Sequence, residues 1–215
     1  MKKLLFFAIL IPILFFDNGC KDNSTEPNDT DTTSAHVRKP NLYIYPNNYI
    51  SLFVEIDFPK GGDIVESIPE YTDFWSIEVE PTGKINNDYD YLYYECDVPS
   101  FEQKEYGWII KQDNLKIFFD DNLKQSGFNE KEKNDFLEYW IPELVNYKYY
   151  EIYPQYIATL DKVIKINFSI EPTNFYRLCY LIIGRDDSNL KLKEPEIESA
   201  TRLDYFAVEW GVILR

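Results

Sequence analysis

The stretch FAVEWGV, residues 206–212, carries the pattern on which the predicted fold of this chain rests. Its alternate apolar residues are Phe206, Val208, Trp210 and Val212. Because successive side chains of a strand point to opposite faces, this alternation predicts a β-strand with one face in a core. Glu209 falls on the opposite face, which we therefore expect to lie outside the core.

Outward from this stretch, similar segments recur along the chain. Residues 178–183 are apolar on both faces, which predicts a strand in the middle of a sheet. The other alternating or short apolar segments are residues 41–45, 52–58, 64–68, 75–80, 89–98, 107–111, 149–153 and 164–171. Clusters of Pro, Gly and Asp between several of them predict turns. Strands with one polar face are typical of antiparallel sheets that are solvated on one side.

Between residues 113 and 147 the apolar spacing becomes helical, which predicts two helices. Gly127 is a stop signal for the first helix. Asn129 and Glu132 have the spacing of a capping box at the start of the second. Pro142 has no backbone donor and predicts where the second helix ends or kinks.

These elements predict an α+β fold. It is predominantly antiparallel β and sandwich-like, with about eight short strands, and its two-helix insert lies near residues 113–147. Strands and helices do not alternate in a βαβ rhythm, which argues against a doubly wound nucleotide-binding fold. Residues 39–215 form a single globular domain in this prediction, long enough for one sizeable core.

The first twenty residues have the layout of a secretory signal. Lys2 and Lys3 precede an apolar run at residues 4–16, and Gly19 stands just before Cys20. The run is shorter than the ~20 residues that a membrane-spanning helix needs. The layout resembles a bacterial lipoprotein signal, which implies that residues 1–19 are removed and that Cys20 is lipidated. The alternative is an ordinary signal peptide with Cys20 incidental.

The residues after Cys20 predict a tether. Residues 21–34 contain no aliphatic or aromatic side chain, so they do not bury enough apolar surface to offset the entropy of ordering. We therefore expect residues 20–38 to be a lipidated cysteine and a disordered acidic tether. The expected location is the bacterial cell envelope, lipid-anchored and extracytoplasmic, with the outer membrane or cell surface favoured.

Composition restricts the partners. The formal net charge of −15 argues against nucleic acid, since its binding relies on neutralising phosphates. The expected membrane contact is through the N-terminal lipid. Cys96 and Cys179 lie in predicted strands, and an oxidising compartment would permit them to form a disulfide. Two single buried thiols are the alternative.

The sequence contains few side chains that suit a known type of catalytic site. His36 is the one histidine of the sequence, which argues against Ser-His-Asp, Cys-His and zinc sites. No cofactor or metal site is predicted. Glu209 is the one catalytic candidate, because apolar neighbours can raise a carboxyl pKa for proton transfer. The alternative is that Glu209 faces water or meets a Lys or Arg across the sheet.

Tyrosines supply the binding candidates. Tyr43, Tyr45, Tyr91 and Tyr93 lie on strand faces, where an exposed row of rings would stack on sugars or hold a protein. The alternative is a tyrosine-rich core with hydroxyl groups at its rim.

Four segments resemble those of a widespread, uncharacterised bacterial family of lipoprotein type. They are KPNLYIYP (39–46) against KPxxYxYP, WSIEVEPTG (75–83) against a Trp and Pro-x-Gly hairpin, GFNEKEKNDFLEYWIP (127–142) against a helix ending in YWxP, and FAVEWG (206–211) against VEWG. The resemblance implies that residues 39–215 form one unit. It implies no activity.

The sequence therefore predicts an extracytoplasmic lipoprotein that binds a protein or a glycan and is not an enzyme. Two alternatives stay open. One is a carboxylate-based hydrolase acting on glycans or cell-envelope material. The other is a structural subunit of an envelope assembly.

Overall fold

The computed structural model describes residues 33–215, and this part of the chain contains ten strands and three α-helices. The strands are β1 Ser34–Tyr45, β2 Ile50–Asp57, β3 Asp63–Ile68, β4 Trp75–Val79, β5 Leu92–Pro99, β6 Trp108–Lys111, β7 Tyr149–Tyr156, β8 Lys165–Phe168, β9 Asn174–Arg185 and β10 Phe206–Leu214. The helices are α1 Leu115–Gln125, α2 Glu130–Glu143 and α3 Ile157–Leu160, and a 3-10 turn at Gln112–Asn114 leads into α1.

The strands form two sheets. Seven strands pair in the order β3-β5-β1-β10-β9-β7-β6, and three pair in the order β4-β2-β8. All the strand pairs of these two sheets are antiparallel except β9 with β10. The predicted fold class is thus confirmed, although the described residues hold ten strands rather than about eight. The parallel pair was not predicted, and the long connection at residues 186–205 makes it possible by returning the chain to the same end of the sheet.

The seven-stranded sheet is covered on both faces. On one face it meets the three-stranded sheet, and their shared core includes Leu42, Ile44, Val54, Trp75, Ile77, Cys96, Ile166 and Leu181. On the other face it meets α1 and α2, and that core includes Tyr43, Phe119, Phe136, Trp140, Tyr180, Val208 and Trp210. The described domain therefore has three layers, with two strands of the middle one, β9 and β10, buried on both sides.

The start and stop signals predicted from the sequence lie at the ends of α1 and α2. Asn129 and Glu132 form the predicted capping box, with each side chain bonded to the other residue's backbone N–H. Gly127 adopts a φ of 86°, which a side chain would strain, and its N–H bonds the carbonyl of Lys124 over 3.0 Å. Pro142 lies in the last turn of α2, one residue before its end.

The domain starts earlier than predicted. β1 begins at Ser34, ahead of the predicted start at Lys39, because Ala35 and Val37 pair with β5 and bury their side chains in the core between the two sheets. The short apolar–polar alternation there already carried the signal of a strand. Cys20 and the predicted signal peptide lie outside the described residues. No helix within residues 33–215 is long and apolar enough to cross a membrane.

Candidate functional site

The catalytic candidate Glu209 lies in a closed network. The parallel register places it beside Arg177, whose Nε donates to Glu209 Oε2 over 2.6 Å. The hydroxyl of Tyr94 donates to Oε1 over 2.7 Å. Glu209 is only 3% exposed. The prediction that Glu209 lies outside the core is therefore wrong, because the three-stranded sheet covers that face. The alternative, in which Glu209 meets an arginine across the sheet, is the one observed.

Arg177 ties this network to the rest of the core. Its Nη1 donates to Asp161 Oδ1 over 2.8 Å and to the carbonyl of Ile164 over 2.6 Å. Burial is the largest single influence and lowers the pKa of Arg177, but Glu209, Tyr94 and Asp161 together raise the pKa above its ordinary value, so the guanidinium stays charged. Both oxygens of Glu209 are engaged within the protein. The arrangement suits a structural ion pair better than proton transfer to a substrate.

The four tyrosines do not form an exposed row. Tyr43 is fully buried beneath α2, and its hydroxyl donates to Asp135 Oδ2 over 2.9 Å. Tyr45 is half-buried and donates to Glu132 Oε1 over 2.7 Å. Desolvation, followed by the nearby carboxylates, raises the pKa of both hydroxyls. The alternative of a tyrosine core with hydroxyls at its rim is the one observed.

The other two tyrosines lie next to cations. Tyr93 is 5% exposed, with Lys39 Nζ 4.5 Å from its ring centroid. Tyr91 is half-buried just before β5, and Lys131 Nζ lies 5.7 Å from its ring. Of the four candidates, Tyr91 alone lines the cleft described below.

Cys96 and Cys179 are both free, buried thiols, so the structure does not contain the disulfide that the compartment would permit. They lie on β5 and β9, which β1 and β10 separate. At the usual strand spacing their Cα atoms are more than ~10 Å apart, and a disulfide needs less than ~7 Å. Burial raises the pKa of both thiols, which keeps them protonated.

A cleft of about 280 Å³ opens between α2 and the strands beneath it. It is lined by Lys39, Asn41, Tyr91, Asp135, Glu138, Tyr139 and Trp210. An irregularity in β1 shapes its rim, because pairing with β10 shifts register between Arg38 and Asn41. Lys39 there has a φ of 52°, a value uncommon for residues other than glycine.

The rim of the cleft carries charges of both signs. Lys39 Nζ lies 4.8 Å from the ring centroid of Tyr139 and is held between that ring and the ring of Tyr93. Asp135 accepts from Tyr43 and Lys131 through its Oδ2. Glu138 is exposed and makes no hydrogen bond or ion pair with any other residue in the range 33–215.

The floor of the cleft has two buried polar atoms, Asn41 Oδ1 and Trp210 Nε1, that lack a hydrogen-bond partner among the described residues. Asn41 and Trp210 are 2% and 0% exposed, and they face each other across the β1–β10 pair. Buried polar groups are nearly always hydrogen-bonded, so an unpaired acceptor and an unpaired donor on two paired strands need an explanation. A ligand with hydroxyl groups is one.

Sequence reasoning missed this cleft. Asn41 stands at the start of a predicted strand, and Trp210 was expected only in the core. Three of the four segments quoted above for their motifs, residues 39–46, 127–142 and 206–211, contribute to the lining.

Within residues 33–215, no group of three or more His, Cys, Asp or Glu side chains is placed to hold a metal ion. Comparisons with protein-family models, with curated proteins and with solved structures gave no match.

Proposed function

We propose that this protein is a lipid-anchored extracytoplasmic binding domain of the bacterial cell envelope, and that a protein or glycan of the envelope binds in the cleft between α2 and β1. The anchor rests on residues 1–20, with Cys20 as the lipidated residue. The observation that carries the binding site is the unpaired Asn41 Oδ1 and Trp210 Nε1 on the floor of the cleft. A binding role is favoured over hydrolysis because the one catalytic candidate, Glu209, is fully engaged with Arg177 and Tyr94.

The anchor is tested by labelling. Cells that express the full chain are grown with a labelled fatty acid, and the protein is recovered and analysed. Wild-type protein is expected to carry the label, and Cys20→Ser is expected to lose it. Equal labelling of the two chains, or none in the wild type, would remove the lipid anchor from the proposal.

The binding site is tested by sedimentation. The full-length protein in a polyoxyethylene detergent is mixed with insoluble cell-wall material, which carries glycan and attached protein, and is centrifuged. Glu138→Lys places a cation and a longer side chain at the cleft rim. Glu70→Lys makes the same charge change in the exposed loop before β4.

We expect the Glu138→Lys variant to sediment at least about tenfold less than wild type. The substitution removes the Glu138 carboxylate from the binding site and puts a longer cation in its place, and a tenfold loss corresponds to ~1.4 kcal/mol of binding free energy. The Glu70→Lys variant is expected to match wild type. Equal sedimentation of both variants, or no sedimentation of wild type, would contradict the proposed site.

A further inference from the structure

The size of the cleft and the polar atoms of its floor restrict its ligand. Its volume of about 280 Å³ is just below the ~300–1,000 Å³ usual for small-molecule pockets. A single ring fits such a volume better than an extended chain does. The ligand also has to supply polar atoms to the floor, since Asn41 Oδ1 accepts and Trp210 Nε1 donates.

Charged ligands are disfavoured by the rim. An anion would meet the carboxylates of Asp135 and Glu138. A cation would ordinarily be attracted to these carboxylates and to the tyrosine rings. The rings are already occupied, however, because Lys39 Nζ lies over Tyr139 and Lys131 Nζ lies over Tyr91. A second cation would face both ammonium groups.

A wholly apolar ligand is disfavoured by the floor. It would leave Asn41 Oδ1 and Trp210 Nε1 desolvated without partners, and it would also strip water from Asp135. Asp135 uses Oδ2 for both of its bonds, so its Oδ1 has no partner in the described domain and needs a donor or water.

A neutral polyhydroxylated ring meets each of these requirements. Each hydroxyl both donates and accepts, so hydroxyls of the ring can donate to Asn41 Oδ1 and accept from Trp210 Nε1, whose residues are cross-strand neighbours. Further hydroxyls can donate to Asp135 and Glu138. The apolar C–H face of the ring can pack on Tyr91 or Tyr139, which line the walls.

We propose that the cleft binds one uncharged sugar residue of an envelope glycan. This inference rests on the proposed function, because it names the ligand class for the same cleft. The recognition atoms are Asn41 Oδ1 and Trp210 Nε1 on the floor, with the Asp135 and Glu138 carboxylates at the rim.

The test uses the indole N–H signals of the tryptophans in a ¹H–¹⁵N spectrum. The full-length protein is kept in a polyoxyethylene detergent, which carries neither sugar nor ammonium groups. It is titrated separately with glucose, galactose, mannose and N-acetylglucosamine, and then with tetramethylammonium chloride and sodium acetate. The Trp210 signal is assigned as the one absent from a Trp210→Phe variant.

We expect at least one of the sugars to shift the Trp210 signal saturably, with a Kd on the order of 1–10 mM, while the Trp75 and Trp108 signals stay in place. Tetramethylammonium and acetate are expected to cause no saturable shift. Saturable binding of either ion in place of the sugars would overturn the inference.

Two variants separate recognition from folding. Asn41→Leu removes the acceptor and keeps the side-chain size, but it also removes the side-chain hydrogen bonds between Asn41 and the hydroxyls of Tyr43 and Tyr91. Its folding is therefore checked separately. The variant is expected to fold with an unchanged dispersion of indole signals and to weaken sugar binding at least about tenfold. Glu138→Gln is expected to weaken it several-fold, and Glu70→Gln is expected to leave it unchanged. Unchanged sugar binding in Asn41→Leu would overturn the assignment of the floor.

The outcome also separates this inference from the proposed function. If no sugar of the panel binds but cell-wall material still sediments in a manner that depends on Glu138, the sugar inference fails and the binding site stands. If sedimentation fails as well, both fail.

Discussion

Arg177 and Glu209 face each other across the parallel pair β9–β10, with Nε 2.6 Å from Oε2 and both side chains almost wholly excluded from solvent. A buried ion pair is costly to desolvate, and it is tolerated here because Tyr94 and Asp161 complete the hydrogen bonding. The pair also joins the two sheets, since Arg177 bonds the carbonyl of Ile164 just before β8. Its role is therefore to hold the layers in register.

The first prediction concerns the loss of one partner of this pair. Glu209→Gln removes the negative charge beside the buried guanidinium of Arg177. Only the partly exposed Asp161 then remains to offset the positive charge. We expect the free energy of unfolding to fall by about 3 kcal/mol, the lower end for breaking a buried pair. Urea unfolding followed by tryptophan fluorescence measures this.

Removal of both partners provides the control for that prediction. Arg177→Met with Glu209→Leu keeps an apolar volume and should recover most of the lost stability, because no uncompensated charge remains. Glu55→Gln, at an exposed position of β2, should change stability by less than ~0.5 kcal/mol. A Glu209→Gln variant as stable as wild type would show that the pair is not structural and would return Glu209 to the catalytic candidates.

The second prediction concerns the start of α2. Asn129→Ala removes the side chain that accepts from the Glu132 N–H, and it should lower the free energy of unfolding by about 1 kcal/mol. Asn134→Ala is the matched control, because Asn134 lies exposed inside the same helix and Ala has the higher helix propensity. We expect that control to be neutral or slightly stabilising in thermal unfolding. Equal losses from the two variants would contradict a capping role for Asn129.

The third prediction concerns the thiols. Burial raises the pKa of Cys96 and Cys179 and also blocks access to them, and the thiolate is the reactive form. An alkylating reagent at neutral pH should modify neither residue in the folded protein, and both after unfolding in urea without any reductant. Mass spectrometry counts the modified residues. A chain that needs a reductant before Cys96 and Cys179 react would contain the disulfide after all.

The sequence predicted strands and helices well for a clear reason. Period-two and helical spacings are local, so the capping box at Asn129 and the strand at residues 206–212 could be identified without knowledge of the fold. Whether the second face of a strand is also buried depends on residues that are distant in the sequence. Glu209 is buried because Arg177 and Tyr94 reach it from other strands, and no spacing in the sequence identifies these neighbours.

The same limit applies to the cleft. The tyrosine pattern placed Tyr43 on a strand face, but α2 covers that face, so Tyr43 lies in the core. Asn41 and Trp210 are 169 positions apart in the numbering, and only the β1–β10 register brings them together. Asn41, a polar residue directly before the apolar run at residues 42–45, was a local signal that this face has an unusual site.

The fourth prediction concerns alkaline pH. Desolvation raises the pKa of Tyr43, Tyr94 and Tyr180 above the ordinary value of 10.0, and near Tyr43 and Tyr94 the carboxylates of Asp135 and Glu209 add to this. The folded state thus keeps these hydroxyls protonated, whereas the unfolded chain releases the protons from about pH 10 upwards. Stability from these groups is fully present below pH 10 and is lost as the pH rises above it, by ~1.4 kcal/mol per pH unit for each tyrosine.

A pH titration between 9 and 12 checks this, with tyrosinate absorbance and far-UV circular dichroism recorded together. The absorbance of the buried tyrosines should rise only in step with the loss of secondary structure, since ionisation requires unfolding. Tyr43→Phe removes one of the linked protons and should make the fall in unfolding free energy less steep above pH 10. Tyr147→Phe, at a ring that is 44% exposed, should leave the slope unchanged. If all tyrosines ionise before the circular dichroism changes, the hydroxyls are not shielded by the fold, and the burial of Tyr43 beneath α2 is wrong.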